Sequence, residues 1–541
     1  IVIKKLLIKN FKSVNELTIE LNPKINIFVG ENDSGKSTIL EALSIITTGQ
    51  LHFYPFERQI KASLFNADIR RVYLEEIKKG NKPELPKMVI EAYLDEGIEA
   101  KFSGKNNELR EDVSGIRMVV EMDMEYSDVY KQMLSSNSVC DIPIELYKVS
   151  YNYFSGSEKV IFRFSPLKSV FIDAAHKDYS YMVSRFISTS INNILDQKDK
   201  IELSREYREA RYRFKENDKV KKLSKKVAEK NKFDNRDLSI DLSETHIDSW
   251  IEQMTVVVED TPFEYVGFGT QNTIKSELAL ENSADKTNII LMEEPENNLS
   301  YTNMAKLIER IEVTNGKQIF IATHSSYVAN KLDLKNLFLV NKGVAKAFSE
   351  LNDDVVNYFK KLPGYNTLRV VLAEKVILVE GPTDELILQR AYMDIKGKHP
   401  IKDGIDIIVV DSLAFKRYCA IAVLIGKPIS IITDNDGNIE ELIKKYSDYE
   451  NNPLIKLFYE KNQIFNTLEP SVLNANCDDD GVPTTKFKNI VHKKSKNVQL
   501  SFEEMSSFMQ KHKTEWAMRV FDSEEKIEYP EYIIDAINQY N

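Results

Sequence analysis

Residues 30 to 37 read GENDSGKS, set between the apolar run INIFV and the amphipathic STILEALSII. A glycine-rich turn that leaves a buried strand and ends in Lys-Ser at a helix start constrains this chain more than any other stretch. The glycines let successive backbone N–H groups curl round an anion, and the helix N-terminus adds positive potential. The pattern is that of a phosphate-binding loop. Gly30, Asn32, Ser34 and Gly35 are expected to form the cradle, with Thr38 as a further contact; Lys36 reaches the β- and γ-phosphates and Ser37 ligates Mg²⁺. ATP with Mg²⁺ is therefore the expected ligand, on an α/β scaffold.

At 541 residues the chain has room for about three domains. Its opening third reads as strands and turns, in IVIKKLLIKN, LTIELNPKINIFVG, MVIEAYLD and IRMVVEMDMEY. From about Asp178 to Asp241 the pattern is helical and charged. Strand-like runs return at MTVVVED, NIILMEEPE and KQIFIATHSS. From Lys375 onward, VILVE, a helix over Asp384 to Lys396, IDIIVVD, a helix over Ala414 to Ile425 and PISIITDND alternate as βαβ units of a parallel sheet do.

No apolar run approaches the ~18 residues of a membrane span, and the N-terminal run alternates like a strand, so a cytoplasmic protein without membrane contact is expected. Cys140, Cys419 and Cys477 have neither metal-ligand spacing nor a disulfide framework, and read as structural. A net charge of −10 argues against coating nucleic acid by bulk charge. The basic stretch over 204 to 233 reads as the solvated face of a helical arm in preference to a DNA-binding stripe, and His492-Lys493-Lys494-Ser495-Lys496 carries the same two readings.

A second constellation is acidic. VILVEGPTDELIL ends an aliphatic run in Glu380 and continues to Asp384; IDIIVVD ends in Asp411; ISIITDND ends in Asp434-Asn435-Asp436. Residues just beyond the carboxyl ends of parallel strands face a common crevice, so these acids can converge. Crowded carboxylates repel unless a divalent cation lies among them, and oxygen-only ligands favour Mg²⁺ or Mn²⁺ over zinc.

The remaining motifs fall in an informative order: Tyr265-Val266-Gly267-Phe268-Gly269-Thr270-Gln271 before a helical run, Glu293-Glu294 after NIILM, and His324 after IFIAT. That order resembles the ATP-binding-cassette heads of the SMC and Rad50-like branch. By that resemblance Gly267, Gly269 and Gln271 belong to the signature loop that contacts a partner subunit's ATP. Glu293 coordinates metal, Glu294 polarises the attacking water and His324 is the switch histidine. Glu293 stands where the branch usually has Asp and the signature lacks its leading Ser, which implies slow hydrolysis or ATP used mainly as a clamp.

Glu-Gly after one strand and Asp-x-Asp after a later one resembles the Toprim signature. The two halves together resemble the class 2 branch of the OLD (overcoming lysogenization defect) family, to which the nucleases of Gabija anti-phage systems belong. The resemblance implies an α/β architecture: an ABC-type head in two parts, 1–160 and 256–350, an inserted helical or dimerisation arm over 161–255, and a C-terminal Toprim domain over 375–541.

It further implies two-metal hydrolysis of double-stranded DNA. Glu380, Asp434 and Asp436 hold one ion, Asp384 with Glu469 of TLEPSVL the other, and Lys511 or Lys513 of KHKTEWAMRV neutralises the phosphate, Lys513 preferred. Ser412-Leu413-Ala414 departs from the family's Gly-Gly loop. Also implied are nucleotide gating with inhibition by ATP, a homodimer or higher oligomer, and room for a UvrD-like helicase subunit. The alternative is an SMC-like nucleic-acid clamp ATPase whose Toprim domain is non-catalytic.

Overall fold

The computed structural model describes residues 1–52, 54–95, 100–136, 138–156, 159–174, 195–230, 238–242, 256–281, 287–361, 365–410, 414–492 and 500–540. Asp411, Ser412, Leu413 and the basic run Lys493-Lys494-Ser495-Lys496 lie outside the described residues, as do parts of the expected arm. The chain divides into two compact units, Ile1–Asn26 with Ser37–Thr323, and Ile27–Lys36 with His324–Asn541.

In the first unit, strand Ile3–Phe11 pairs antiparallel on one side with Val14–Glu20 and on the other with Met88–Leu94. Val113–Met122 extends the sheet from Met88–Leu94 and is followed by Tyr147–Tyr153. Two-residue alternation sets the faces: in VNELTIE, Val14, Leu17 and Ile19 are buried while Glu16, Thr18 and Glu20 are exposed. A parallel set has a different composition. Ser169–Asp173, Ile289–Glu293 and Gln318–Thr323 pair in that order, and every residue of IILME and QIFIAT is buried, as in a sheet covered on both faces.

The expected strand MTVVVED is reduced to Val257–Val258, hairpinned on Thr261–Pro262, with Met254 and Thr255 outside the described residues. Helices Gln197–Glu216 and Asp218–Lys230 bury no side chain, which both readings of the basic stretch allow. Asp196 starts the first of them with a capping box to Asp199.

In the second unit Leu337–Asn341 pairs in parallel with the Ile27–Val29 end of strand Ile25–Val29. Beyond it lies a four-stranded, all-parallel sheet in the order Ile405–Val409, Lys375–Val379, Ile429–Ile432, Ile455–Phe458. Val376 to Val379 are completely buried. Helix Pro382–Lys396 begins two residues earlier than the sequence suggests, because Pro382 sits at its first position behind Gly381, and it stops at Gly397 with φ 72°. Ile387 and Leu388 of this helix pack with Ile377 and Val379 of the sheet and with Phe487 and Trp516 from the C-terminal helices. Among the described residues no helix is long and apolar enough to cross a membrane.

Candidate active site

Strands Lys375–Val379 and Ile429–Ile432 are neighbours, with Val376 opposite Ile429 and Leu378 opposite Ile431. Their carboxyl ends therefore deliver Glu380 and Asp434 side by side. Glu380 Oε1 accepts from the Asp434 amide at 3.2 Å and from the Thr433 hydroxyl. One helical turn after Glu380, Asp384 lies in the first turn of Pro382–Lys396. Glu469, 2% exposed, occupies the first turn of helix Leu468–Ala475. Lys513 opens helix Lys513–Asp522 with its ammonium 3.7 Å from Glu469 Oε1. No ion pair involves Lys511 among the described residues, so of the two expected lysines it is Lys513 that faces the acids.

Burial, then the charge of Glu380 and that of Glu469, raise Asp384 to about 7. Burial, then Asp384, Glu380, Glu469 and Asp436, raise Asp434 to about 8. Charge penalties of this kind arise only where acids share one neighbourhood. No three His, Cys, Asp or Glu side chains among the described residues are already closed into a metal cluster. The donor set nevertheless suits a hard divalent cation: it is all oxygen, and its charges oppose one another in partly buried surroundings. Asp436 is the exposed member, at φ 47°, with its amide donating to the Asn466 carbonyl at 3.3 Å.

Three supporting residues have no counterpart in the sequence reading. Thr433 orients Glu380. Asn435, 2% exposed, ties its loop to the carbonyls of Glu460 at 2.7 Å and Asn462 at 3.2 Å. Tyr532 is buried beside Asp434 and Asp384 and hydrogen-bonds Ser471; burial, then those two acids, push its hydroxyl far up, so it stays neutral. Thr433 and Asn435 lie inside TDND and were within reach of sequence reasoning. Tyr532 carries no local signal.

The phosphate-loop residues are built as their composition requires. A Cβ on Gly30 would sit 2.1 Å from the Val340 carbonyl, and Gly35 has φ 113°, so both positions need glycine. The Lys36 ammonium, buried, donates to the carbonyls of Gly30 at 2.9 Å and Glu31 at 2.7 Å. Ser34 accepts from the Gly343 amide at 2.7 Å, and Asn32 is exposed. His324 follows strand Gln318–Thr323.

In the first unit, the Ser37 hydroxyl donates to Glu293. Burial pushes Glu293 up, the Ser37 bond opposes this, and Asp173, Glu41 and Glu294 add to it. Glu294, at φ 47°, accepts from Asn297 Nδ2 at 2.6 Å. Thr38 shares a hydrogen bond with Ser13 at 2.9 Å.

The expected signature loop is reshaped: helix Phe268–Glu281 begins inside it, leaving Gly267 in the loop and Gly269 in the first turn. Gln271 differs from its expected outward role. It is buried, and its amide donates to the carbonyls of Phe263 at 3.0 Å and Val266 at 2.8 Å, so it holds the loop from within.

The family described as "Overcoming lysogenization defect protein-like, TOPRIM domain" matches residues 371–436, and the family described as "AAA domain" matches residues 5–367. The chain is 23% identical over 454 residues to Endonuclease GajA of Bacillus cereus (strain VD045), covering 79% of this chain and 74% of that one. It is 21% identical over 569 residues to Endonuclease GajA of Bacillus cereus (strain HuB5-5), covering 85% and 79%. Among solved structures, the recombination mediator protein RecF aligns with 64% of this chain and 98% of its own, at 12% identity and a TM-score of 0.33.

Proposed function

The chain belongs to the OLD family, in which an AAA-domain ATPase precedes a Toprim domain, and from that premise we propose that it is a nucleotide-regulated, divalent-metal-dependent endonuclease acting on double-stranded DNA. The observation that carries this reading is the electrostatic penalty that Asp384 and Asp434 bear beside Glu380 and Glu469, with the Lys513 ammonium next to Glu469. Folding does not require acids to be gathered at such cost; a cation-dependent reaction does.

Glu380, Asp434 and Asp436 are assigned to one Mg²⁺ or Mn²⁺ ion, and Asp384 with Glu469 to a second. When bound, such ions supply Lewis acidity at the scissile phosphate and a nucleophilic water at neutral pH. The protein's own part is positional. Paired strand ends hold Glu380 against Asp434, the neutral Tyr532 is buried beside Asp434 and Asp384, and Lys513 neutralises charge that builds on the phosphate.

ATP with Mg²⁺ is assigned to Gly30, Asn32, Ser34, Gly35, Lys36 and Thr38, with Ser37 and Glu293 on the ion, Glu294 at the attacking water and His324 at the γ-phosphate. The extra methylene of Glu293 and its raised proton affinity favour slow hydrolysis. A homodimer is supported by the exposed aromatic residues flanking Gly267 in sequence, Tyr265 at 79% and Phe268 at 45% exposure. An anti-phage role, with a UvrD-like helicase subunit as partner, completes the proposal through the resemblance to Gabija nucleases.

Incubation of the purified protein with supercoiled plasmid and Mg²⁺ or Mn²⁺ tests it. Nicks are expected. Unchanged plasmid would favour the clamp ATPase, and relaxation without nicks a topoisomerase.

A further inference from the structure

Lys427 lies between Gly426, which stops helix Phe415–Ile425, and strand Ile429–Ile432, and is only 4% exposed. Its ammonium donates to Glu31 Oε1 at 2.6 Å, to the Val371 carbonyl at 2.7 Å and to the Ala373 carbonyl. All three of its protons are thereby used. Glu31 is the second residue of the phosphate loop. Val371, in the last turn of helix Tyr365–Leu372, and Ala373 lead into strand Lys375–Val379, whose far end carries Glu380. Lys427 itself stands two positions before the strand whose far end leads to Asp434. One buried cation thus joins the phosphate loop to the roots of both acid-bearing strands. A second bond, Asn341 Nδ2 to the Ile425 carbonyl at 2.9 Å, runs to the same turn from the strand that pairs with Ile27–Val29.

A solvated turn has no need of a buried ammonium, and withdrawing it from water is costly unless its partners are exact in number and place. A buried ion pair is on its own weak evidence of added stability. What the ion pair adds is directional dependence on Glu31. The Glu31 peptide carbonyl is also held by Lys36, the residue for which nucleotide β- and γ-phosphates compete. Phosphates entering the cradle also bring negative charge toward the Glu31 carboxylate, whose partner is Lys427.

We propose that Lys427 is a positioning residue for phosphodiester cleavage, setting the spacing of Glu380 and Asp434 through Glu31 according to what fills the phosphate loop. This rests on reading the loop as a nucleotide site and the acids as a nuclease centre. Nucleotide acts here only through a differential affinity for two arrangements of the strands.

The test is hydrogen exchange by mass spectrometry on the full chain, with and without ATP at fixed free Mg²⁺, beside plasmid nicking. In the wild type, ATP slows exchange in the phosphate loop and alters it about fivefold or more in peptides covering 375–381 and 429–436. In Glu31→Gln the loop still responds while the strand effect falls below about twofold. Lys427→Gln gives the same loss, with a thermal melt to verify folding.

A full strand effect in Glu31→Gln overturns the proposal. So does a wild type in which ATP protects the loop and leaves both strands untouched, and so does a loop that ATP does not protect, which removes the nucleotide reading as well. If the strands respond in wild type but not in Glu31→Gln while plasmid stays intact, the coupling stands and the nuclease reading falls.

Discussion

The Asp434 amide donates to Glu380 Oε1 at 3.2 Å, across 54 positions of sequence. Backbone geometry, reinforced by the Thr433 hydroxyl, holds these two acids together against their own repulsion. Asp434→Asn keeps the amide and the side-chain volume and removes only the charge. Nicking of supercoiled plasmid is expected to fall about 100-fold or more, as loss of a metal ligand does, with no loss of melting temperature. Retained nicking would take Asp434 out of the metal site, and a fall in melting temperature would make its role structural.

The same charges set a pH dependence. Asp434 is raised to about 8 and Asp384 to about 7, whereas an aspartate in the unfolded chain titrates near 4. Between these values the folded site binds more protons than the unfolded chain. The site's contribution to stability is therefore fully present at about pH 4, falls as pH rises, and levels off above about pH 8. Divalent cations displace those protons. Melting in EDTA should decline from roughly pH 6 to pH 8, less steeply in Asp434→Asn, and less steeply with Mg²⁺, while nicking rises over the same range. Equal slopes for wild type and Asp434→Asn in EDTA would show that these acids do not share a site.

Lys513 lies 3.7 Å from Glu469, and Lys511 has no such neighbour among the described residues. Lys513→Met should lower nicking about 100-fold, within the range seen when one charge-stabilising donor is removed, and Lys511→Met less than about threefold. Equal losses would make both lysines general DNA contacts, which a steeper salt dependence of the wild type would corroborate.

Gly267 and Gly269 separate folding from assembly. A Cβ on Gly269 would stand 2.3 Å from the Asn298 carbonyl, whereas nothing lies within 4 Å of one on Gly267. Gly269→Ala should destabilise by about 1 to 3 kcal/mol through overpacking, visible as a lowered melting temperature. Gly267→Ala should melt like the wild type yet weaken the ATP-dependent dimer in light scattering. A dimer unaffected by Gly267→Ala argues that the exposed face around Tyr265 is not the subunit contact.

Much of the candidate site was legible because its acids end strands. VILVE and ISIIT announce buried parallel strands by composition, and whatever follows such a strand is delivered to its carboxyl edge. Glu293 was legible for the same reason, following IILM. The fourth parallel strand, Ile455–Phe458, was not: four residues flanked by turns give too short a period to detect. The start of helix Phe268–Glu281 was also misplaced, since two glycines read as loop, although Gly269 is helical because its missing Cβ admits the Asn298 carbonyl. Lys427 is the extreme case. Its partner Glu31 is 396 positions away, and nothing in Gly426-Lys427-Pro428 distinguishes it from a surface turn.

Control of the nuclease by nucleotide gives the last prediction. The Lys36 ammonium lies between the carbonyls of Gly30 and Glu31, at 2.9 and 2.7 Å, where an incoming phosphate would claim it. Lys36→Ala should therefore lose nucleotide affinity with little effect on the acids of the four-stranded sheet. ATP also binds Mg²⁺, so a fall in nicking with added ATP has two explanations, chelation and coupling. Titrating ATP at fixed free Mg²⁺ separates them. Chelation acts on wild type and Lys36→Ala alike; coupling acts on wild type alone. The expected result is inhibition of the wild type by about fivefold or more, within the usual span of coupling energies, and a response under about twofold in Lys36→Ala. Activation in place of inhibition would reverse the sign while leaving the coupling intact. Identical responses in the two proteins would mean that nucleotide and nuclease do not communicate, and that the buried Lys427–Glu31 pair serves only to brace the fold.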